Sequence, residues 1–493
     1  MRVLLVYPNE MMLNPPPVSI GLFTAILKRA GFELALFDTT YYPTFSQTSD
    51  KAKENNLQVR HFDFAERNVS LKQTDLFEDL RNTVETFAPD LIAISILEPT
   101  FDQAVSLLDA IAGCDIPVIA GGVFPTFAHE QVLSHPAVDM VCIGEGEGAL
   151  LELCERMRDG RDISGIDNLR VKNQSETIET PVRPVVELDK LPIPDYSLFE
   201  PERLFRPMAG KVYRTIPVET NRGCPFQCAY CNSPAQTKLY REHNAGNFFR
   251  KKSLPVIRDE LRELTRLYEA EYVYFPSDTF LSMTDAEFDE FIEIYREFRL
   301  PFWMQTRPET VTLERMVALK EVGCHRMSLG IEHGNPEFRK RVLHKNTTNE
   351  IIIEACDAIA QSGIPLSVNN IIGFPGETRE LVFDTIRLNR QLTFDTTNAY
   401  VFAPFHGTRL YDLCIRQGLI APSRTVHNLT IDTGLDMPQL SRREIDGLRK
   451  TFALYARLPD EYWPKIQIAE GTDEEARKAF EELREIYIAA YFT

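Results

Sequence analysis

A chain of 493 residues exceeds one ordinary hydrophobic core, so two or three domains are expected. Its composition, 44% apolar and 26% charged, is globular and excludes a disordered or fibrous protein. With 54 basic against 72 acidic residues the net charge is −18, which argues against nucleic-acid binding as its main business; the basic run 248–255 reads as a solvated loop.

The chain opens on "MRVLLVYP", where five apolar residues precede Pro8. That pattern predicts a buried strand rather than a secretory signal, and no apolar run reaches the ~18–20 residues of a membrane span. Alternation of strand and helix continues through predicted strands at 33–39, 90–96, 116–122 and 139–147, separated by amphipathic helices. A polar, weakly patterned insert at 43–70 interrupts the series. Short apolar strands between helices predict a parallel sheet covered on both faces, a Rossmann-like or flavodoxin-like domain over residues 1–160. Residues 161–205 are proline-rich and read as a connector with little regular structure.

A second alternating series follows, with strands predicted at 212–220, 271–278, 301–308, 325–332, 365–376 and 398–408. Six strand–helix units are too few for a closed eight-unit barrel and predict a partial one over 206–415, with its chemistry at the C-terminal ends of the strands. The remainder, 416–493, reads as a helical, acidic tail expected to close the barrel mouth. The fold class is therefore α/β: an N-terminal Rossmann-like doubly wound domain, a partial (β/α)6 barrel, and a helical C-terminal tail.

Of nine cysteines, six are scattered in apolar surroundings, which suits reduced thiols in a cytoplasmic protein. The other three, Cys224, Cys228 and Cys231 in "NRGCPFQCAYCNSP", follow the first barrel strand. Three thiolates so spaced can hold three irons of a [4Fe–4S] cluster and leave the fourth iron open to a ligand. The alternative is a zinc site with the distant His243 as fourth ligand.

This pattern, with Tyr230 before the last cysteine, resembles the cluster motif of the radical S-adenosylmethionine (SAM) enzymes. The resemblance implies a [4Fe–4S] cluster whose open iron chelates S-adenosyl-L-methionine and whose electron cleaves it to a 5′-deoxyadenosyl radical. It implies further cofactor contacts at strand ends. Glu332 in "LGIEHG" stands where the family carries a ribose or amino contact, with a structural salt bridge as the alternative. Gly373, Pro375 and Gly376 in "IIGFPGET" form a turn open to the adenine, or a turn alone. Ser277 and Asp278 occupy the place of the family's Gly-Gly-Glu stretch, from which this chain departs. Arg307 is placed to pair with a carboxylate of cofactor or substrate, or to serve structure.

The first domain resembles the cobalamin-binding domain of one large subgroup of those enzymes. Gly121, Gly122 and Thr126 in "GGVFPT", and Gly144 and Glu145 in "GEGE", fall at the C-terminal edge of the sheet, where open α/β folds bind ligands. "ILEPT" at 96–100 lines the same edge. A nicotinamide cofactor is the rival, but no GxGxxG follows the first strand. The Asp-x-His-x-x-Gly motif of histidine-ligated cobalamin proteins is also absent.

Together these resemblances imply a cobalamin-dependent radical SAM methyltransferase, which moves a methyl group through methylcobalamin to a carbon radical. The alternatives are a radical SAM cyclase or rearrangement enzyme, or a non-catalytic cobalamin-binding sensor. A methylthiotransferase would need three more grouped cysteines, which the first domain lacks. Expected partners are a small-molecule or lipid-like substrate and an electron donor such as flavodoxin or ferredoxin, with no nucleic acid and no transmembrane segment.

Overall fold

A computed structural model describes residues 1–13, 15–173, 176–427 and 434–492. Its first sheet contains β1 (Arg2–Tyr7), β2 (Glu33–Asp38), β3 (Leu91–Ser95), β4 (Val118–Gly121), β5 (Met140–Cys142), β6 (Leu169–Asn173) and β7 (Glu176–Glu179). Val3, Leu4, Leu5 and Val6 of β1 are all buried, because helices cover both faces. The strand order is β2-β1-β3-β4-β5-β6-β7, the flavodoxin type of doubly wound sheet, with β1 to β5 parallel. This order reverses between β1 and β3, and there the C-terminal edge opens a crevice.

The expectation of little regular structure over 161–205 is corrected. That stretch supplies the antiparallel hairpin β6–β7, which extends the sheet beyond β5. Its inner strand β6 alternates buried apolar Leu169 and Val171 with Arg170 and Lys172, and its outer strand β7 is polar and exposed, so neither has the apolar run that marked the others. The connection between β4 and β5 is two short helices, Val123–Phe127 and His129–Leu133, broken at Ala128.

The second sheet contains β8 (Phe205–Met208), β9 (Lys211–Pro217), β12 (Tyr272–Tyr274), β13 (Phe302–Thr306), β14 (Cys324–Glu332), β15 (Leu366–Ile372) and β16 (Thr396–Val401); a separate two-residue pair, β10 (Asn221–Arg222) and β11 (Arg250–Lys251), lies between β9 and β12 in the chain. Its order is β16-β15-β14-β13-β12-β9-β8, with six parallel strands and an antiparallel edge in β8. This is a curled half-barrel of six strand–helix units.

A half-barrel leaves an open side between its first and last strands, and the insert at 43–70 lies across it. Gln58 donates from Nε2 to the Ala399 carbonyl on β16 at 3.4 Å. Arg67 donates from Nε to the Val212 carbonyl on β9 at 3.1 Å. The segment forms a helix, Ser49–Asn55, and a 3-10 turn, Phe64–Arg67.

The tail folds into helices Arg442–Arg457, Trp463–Ala469 and Glu474–Tyr491. Ile445, Leu448, Phe452 and Leu454 pack with Ile372, Ala399 and Val401, residues of β15 and β16. Tyr400 lines the inner cavity, so by strand alternation Ala399 and Val401 point outward. The tail helices thus sheathe the outer face of the barrel at β15 and β16. The preceding strap reaches the first domain, where the Glu98 carboxylate accepts the backbone N–H groups of His406 at 2.9 Å and Val426 at 3.0 Å. No helix among the described residues is long and apolar enough to cross a membrane.

Candidate functional site

After β9 the chain turns through Gly223, whose φ of +81° and contact with the Phe248 ring leave no room for a side chain: a Cβ there would stand 2.8 Å from Cδ1. The cysteine loop follows, pinned at its middle residue. Ala229 N–H donates to the Leu343 carbonyl at 2.9 Å, and its own carbonyl accepts from Leu410 N–H at 3.0 Å. Cys224 and Cys228 are buried and Cys231 is partly so.

Each sulfur meets a different neighbour. Cys224 Sγ lies 3.4 Å from Thr279 Oγ1, Cys228 Sγ accepts from Arg307 Nη1 at 3.0 Å, and Cys231 Sγ accepts from Ser233 N–H at 3.4 Å. Burial pushes the Cys231 thiol up to about 12 in the protein alone. No three His, Cys, Asp or Glu side chains among the described residues are grouped to hold one metal ion. A four-iron cluster does not ask for that, since each thiolate ligates a different iron. His243 caps the far end of helix Ser233–Glu242, about 15 Å along its axis from the loop, which disfavours it as a zinc ligand.

The expected partners gather around this loop at the strand ends. Arg307 stacks on Phe226, 3.9 Å from guanidinium carbon to ring centre, and pairs with Glu309 at 2.6 Å. Burial alone would lower its pKa, but Glu309 and Cys228 hold it above the usual range. Tyr230 packs beside Phe374, and burial, then Glu332 and Cys228, raises its phenol pKa. Ser277 is buried, its hydroxyl 2.6 Å from Thr220 Oγ1. Asp278 is open to solvent yet recessed among protein groups, and this desolvation raises its carboxyl pKa.

Glu332 ends β14 at a register shift, with φ at +68°. Such strain in a carboxylate-bearing residue at a strand end is a mark of functional sites. Its Oε1 receives the ammonium of buried Lys345 at 3.1 Å, and the same Nζ donates to the Gly330 carbonyl at 2.5 Å. Beyond β15, the turn carrying Gly373, Pro375 and Gly376 is held by buried Glu377, whose carboxylate accepts from Gly373 N–H at 2.5 Å and Phe374 N–H at 2.9 Å. His333 Nδ1 accepts from Asn335 N–H, so Nε2–H is the donor to Glu377 at 3.0 Å. Ile445 of the tail fills the space beside Gly373, whereas a Cβ at Gly376 meets nothing within 4 Å. Gly376 is therefore the open glycine of the turn.

In the first domain a cavity of about 320 Å³ enters the sheet at the reversal between β1 and β3. Gly121, Gly122, Thr126, Gly144 and Glu145 all line it, above an apolar floor that includes Leu5, Ile94, Ile119 and Leu150. Gly144 has φ +75°, and a Cβ there would stand 2.5 Å from Tyr240 Oη. Thr126 Oγ1 accepts from Gly144 N–H at 3.0 Å, and Tyr240 Oη accepts from Glu145 N–H at 2.8 Å. The glycine-walled, apolar recess fits a flat, bulky ligand. Leu97, from "ILEPT", also lines it, while Glu98 turns away to the strap.

The cavity and the cysteine loop share a wall. Arg222, two residues before Cys224, reaches Glu145 at 2.9 Å, Glu147 at 2.8 Å and Glu219 at 3.1 Å. Arg250 also binds the Glu145 carboxylate, which is thereby committed to two arginines. Sequence reasoning missed Arg222, Lys345, Glu377 and Thr279, each of which has at least one partner distant in the chain. Arg222, beside the cysteines, and Glu377, inside the quoted turn, had a local signal.

A family model described as the B12 binding domain matches residues 13–154, and one described as the Radical SAM superfamily matches 218–388. Among curated proteins, the chain is 28% identical over 393 residues to "Uncharacterized methyltransferase PH0819" of Pyrococcus horikoshii, covering 78% of this chain and 82% of that one. It is 25% identical over 431 residues to the anaerobic magnesium-protoporphyrin IX monomethyl ester cyclase of Rubrivivax gelatinosus, covering 83% and 69%. Among solved structures, the radical S-adenosylmethionine methyltransferase TsrM of Kitasatospora setae, with cobalamin and a [4Fe–4S] cluster bound, aligns over 99% of both chains with a TM-score of 0.65 at 17% identity. At that identity the likeness speaks to the fold.

Proposed function

We propose, from a B12 binding domain and a Radical SAM domain matched in one chain, that this protein is a cobalamin-binding radical S-adenosylmethionine enzyme that transfers methyl groups to carbon. Its cofactors are a [4Fe–4S] cluster, S-adenosyl-L-methionine and cobalamin. The observation that carries the reading is the shared wall: Arg222 joins the glycine-lined cavity to the loop bearing Cys224, Cys228 and Cys231.

When bound, the cluster supplies the electron that cleaves S-adenosylmethionine, and cobalamin carries the methyl group. The chain's own residues place and insulate. We assign Cys224, Cys228 and Cys231 as cluster ligands, with Arg307 donating to the Cys228 sulfur and Thr279 beside Cys224. Glu332, oriented by Lys345, and Asp278 present carboxylates toward the S-adenosylmethionine amino or ribose groups, and Gly376 presents open backbone. Tyr230 and Phe374 wall the mouth against water, which protects a reactive radical. Gly121, Gly122, Thr126 and Gly144 form the cobalamin wall. The substrate is a small molecule, and the electron comes from a donor of flavodoxin or ferredoxin type.

The test is anaerobic. Reconstituted protein should hold about four irons and one cobalamin per chain, and Cys228→Ala should lose the iron. Reduced enzyme with substrate should yield 5′-deoxyadenosine, methionine and S-adenosylhomocysteine. Turnover that gives no S-adenosylhomocysteine refutes methyl transfer. The similarity to the magnesium-protoporphyrin cyclase favours oxidative cyclisation as the second reading. Product mass separates the two: methylation adds one methylene unit, and cyclisation loses hydrogen or gains oxygen.

A further inference from the structure

Arg307 follows β13 and caps the 3-10 turn Pro308–Thr310, where its carbonyl accepts from the Thr310 hydroxyl at 2.8 Å. That turn brings Glu309 back beside the Arg307 side chain. One edge of the guanidinium is thereby taken: Nε and Nη2 donate to the Glu309 carboxylate at 3.3 and 2.6 Å. Its plane lies on the Phe226 ring, inside the cysteine loop. Only Nη1 points at Cys228 Sγ, at 3.0 Å. The Arg307 side chain is 9% exposed, so salt and water screen this contact little.

The three sulfurs therefore differ in their surroundings. Cys224 and Cys231 meet neutral groups, the Thr279 hydroxyl and the Ser233 N–H, whereas Cys228 meets a cation. Behind the arginine stands the opposite charge of Glu309, which Thr347 Oγ1 steadies by donating to it. Charge and hydrogen bonds at the ligating sulfurs are what tune an iron–sulfur cluster. Arginine keeps its proton at every working pH, so the contact is a fixed charge.

We propose that Arg307, counterbalanced by Glu309, sets the reduction potential of the [4Fe–4S] cluster held by Cys224, Cys228 and Cys231. The inference rests on the cluster assignment above and not on methyl transfer. Reduction passes one electron from the flavodoxin- or ferredoxin-type donor to the cluster, with no bond made or broken and no proton moved. The added negative charge is favoured by the guanidinium at Cys228 and opposed by the carboxylate on its other edge. Arg307 raises the potential. Glu309 is a positioning residue that also holds the rise in check.

The test is a spectroelectrochemical titration of anaerobically reconstituted protein without S-adenosylmethionine, read from the paramagnetic resonance signal of the reduced cluster. Iron is counted in every sample. Arg307→Gln should keep about four irons per chain. Its reduced-to-oxidised ratio at a fixed potential should fall about tenfold, a lowering of ~59 mV for one electron. Arg307→Lys keeps the charge without the fork and should recover at least about half of that shift. Glu309→Gln still accepts from Nη2 but carries no charge, so it should shift the ratio the other way, by about threefold. If Glu309 only held Arg307 in place, Glu309→Gln would lower the potential as Arg307→Gln does, and that result overturns the proposal. Potentials that coincide in wild type and Arg307→Gln at equal iron content overturn it too. Should Arg307→Gln lose its iron, Arg307→Lys and Glu309→Gln still decide by the sign of the second. Wild-type protein that holds no iron refutes the cluster assignment and this proposal with it, whereas unmoved potentials in iron-loaded variants refute this proposal alone.

Discussion

Arg222 gives a sharp test of how the domains are joined. Its guanidinium serves Glu145 and Glu147 from the first domain and Glu219 from its own, with all four side chains at most 16% exposed. Burial by itself would lower the arginine's pKa, but Glu147, Glu219 and Glu145 hold it well above the usual range. In Arg222→Met the cations left to the carboxylates among the described residues are Arg250, on Glu145, and Lys252, 3.9 Å from Glu219. Breaking a buried charge network from one side costs about 3 kcal/mol, roughly 150-fold in the folding equilibrium. The loss carries its own pH signature. Burial pushes the Glu219 carboxyl up, but Arg222 and then Lys252 more than offset this and hold it below its ordinary range, so the penalty is full at pH ~7.5, above the unfolded value near ~4.3, and shrinks as pH falls through the lower folded one. Urea unfolding of both proteins at pH ~7.5 and ~3.5, with Arg222→Lys as a partial rescue, measures this. A loss below about 1 kcal/mol, or one equal at both pH values, refutes the reasoning. Because Arg222, Glu145 and Glu147 all line the cavity, the variant should also retain less cobalamin after gel filtration.

Gly144→Ala should cut cobalamin retention about tenfold, read from the visible spectrum after desalting. It adds the left-handed strain of about 1–2 kcal/mol and drives Cβ against Tyr240 Oη. Gly160→Ala has a similar φ of +64° but open space, so it should show the strain without the cobalamin loss. At Asp395, burial raises the carboxyl pKa, but Arg326 and then Arg60 more than offset this and leave it below its ordinary range. Its contribution is therefore present above the unfolded pKa of ~3.9 and lost as pH falls through the lower folded value. The stability gap between wild type and Asp395→Asn should be open at pH ~7 and close below pH ~4; a gap independent of pH would contradict the assignment.

What the sequence revealed was what chain-local chemistry encodes. The three cysteines sit within eight residues, so their spacing exposes them; the Gly121–Gly122 pair, Gly144 and the Gly-x-Pro-Gly turn were singled out through the family resemblance. The six barrel strands were legible because each is a short apolar run beside a helix. Lys345 was not, because a lysine thirteen residues beyond Glu332 acquires meaning only when the chain folds back over Gly330. Glu377 read as part of a turn, and its role of holding Gly373 and Phe374 depends on His333, 44 residues earlier. The β6–β7 hairpin was hidden because β6 offers only Leu169 and Val171, separated by Arg170, and β7 is polar, so no apolar run marks it. Asp278 stood where the family pattern fails, and only the fold shows it recessed beside the cysteine loop, acting on Cys231 and Cys224.

The insert at 43–70 makes the two domains poor modules for exchange. It belongs to the first domain by sequence, yet it supplies the missing wall of the second through Gln58, Arg60 and Arg67. A chimera grafting another front domain onto this barrel would strip β9 and β16 of that wall unless these residues travelled with the barrel. Recombination within such a lineage is therefore constrained to crossovers that keep an internal stretch of one domain with the body of the other. Partner choice for the barrel is inherited from a loop, not from a boundary.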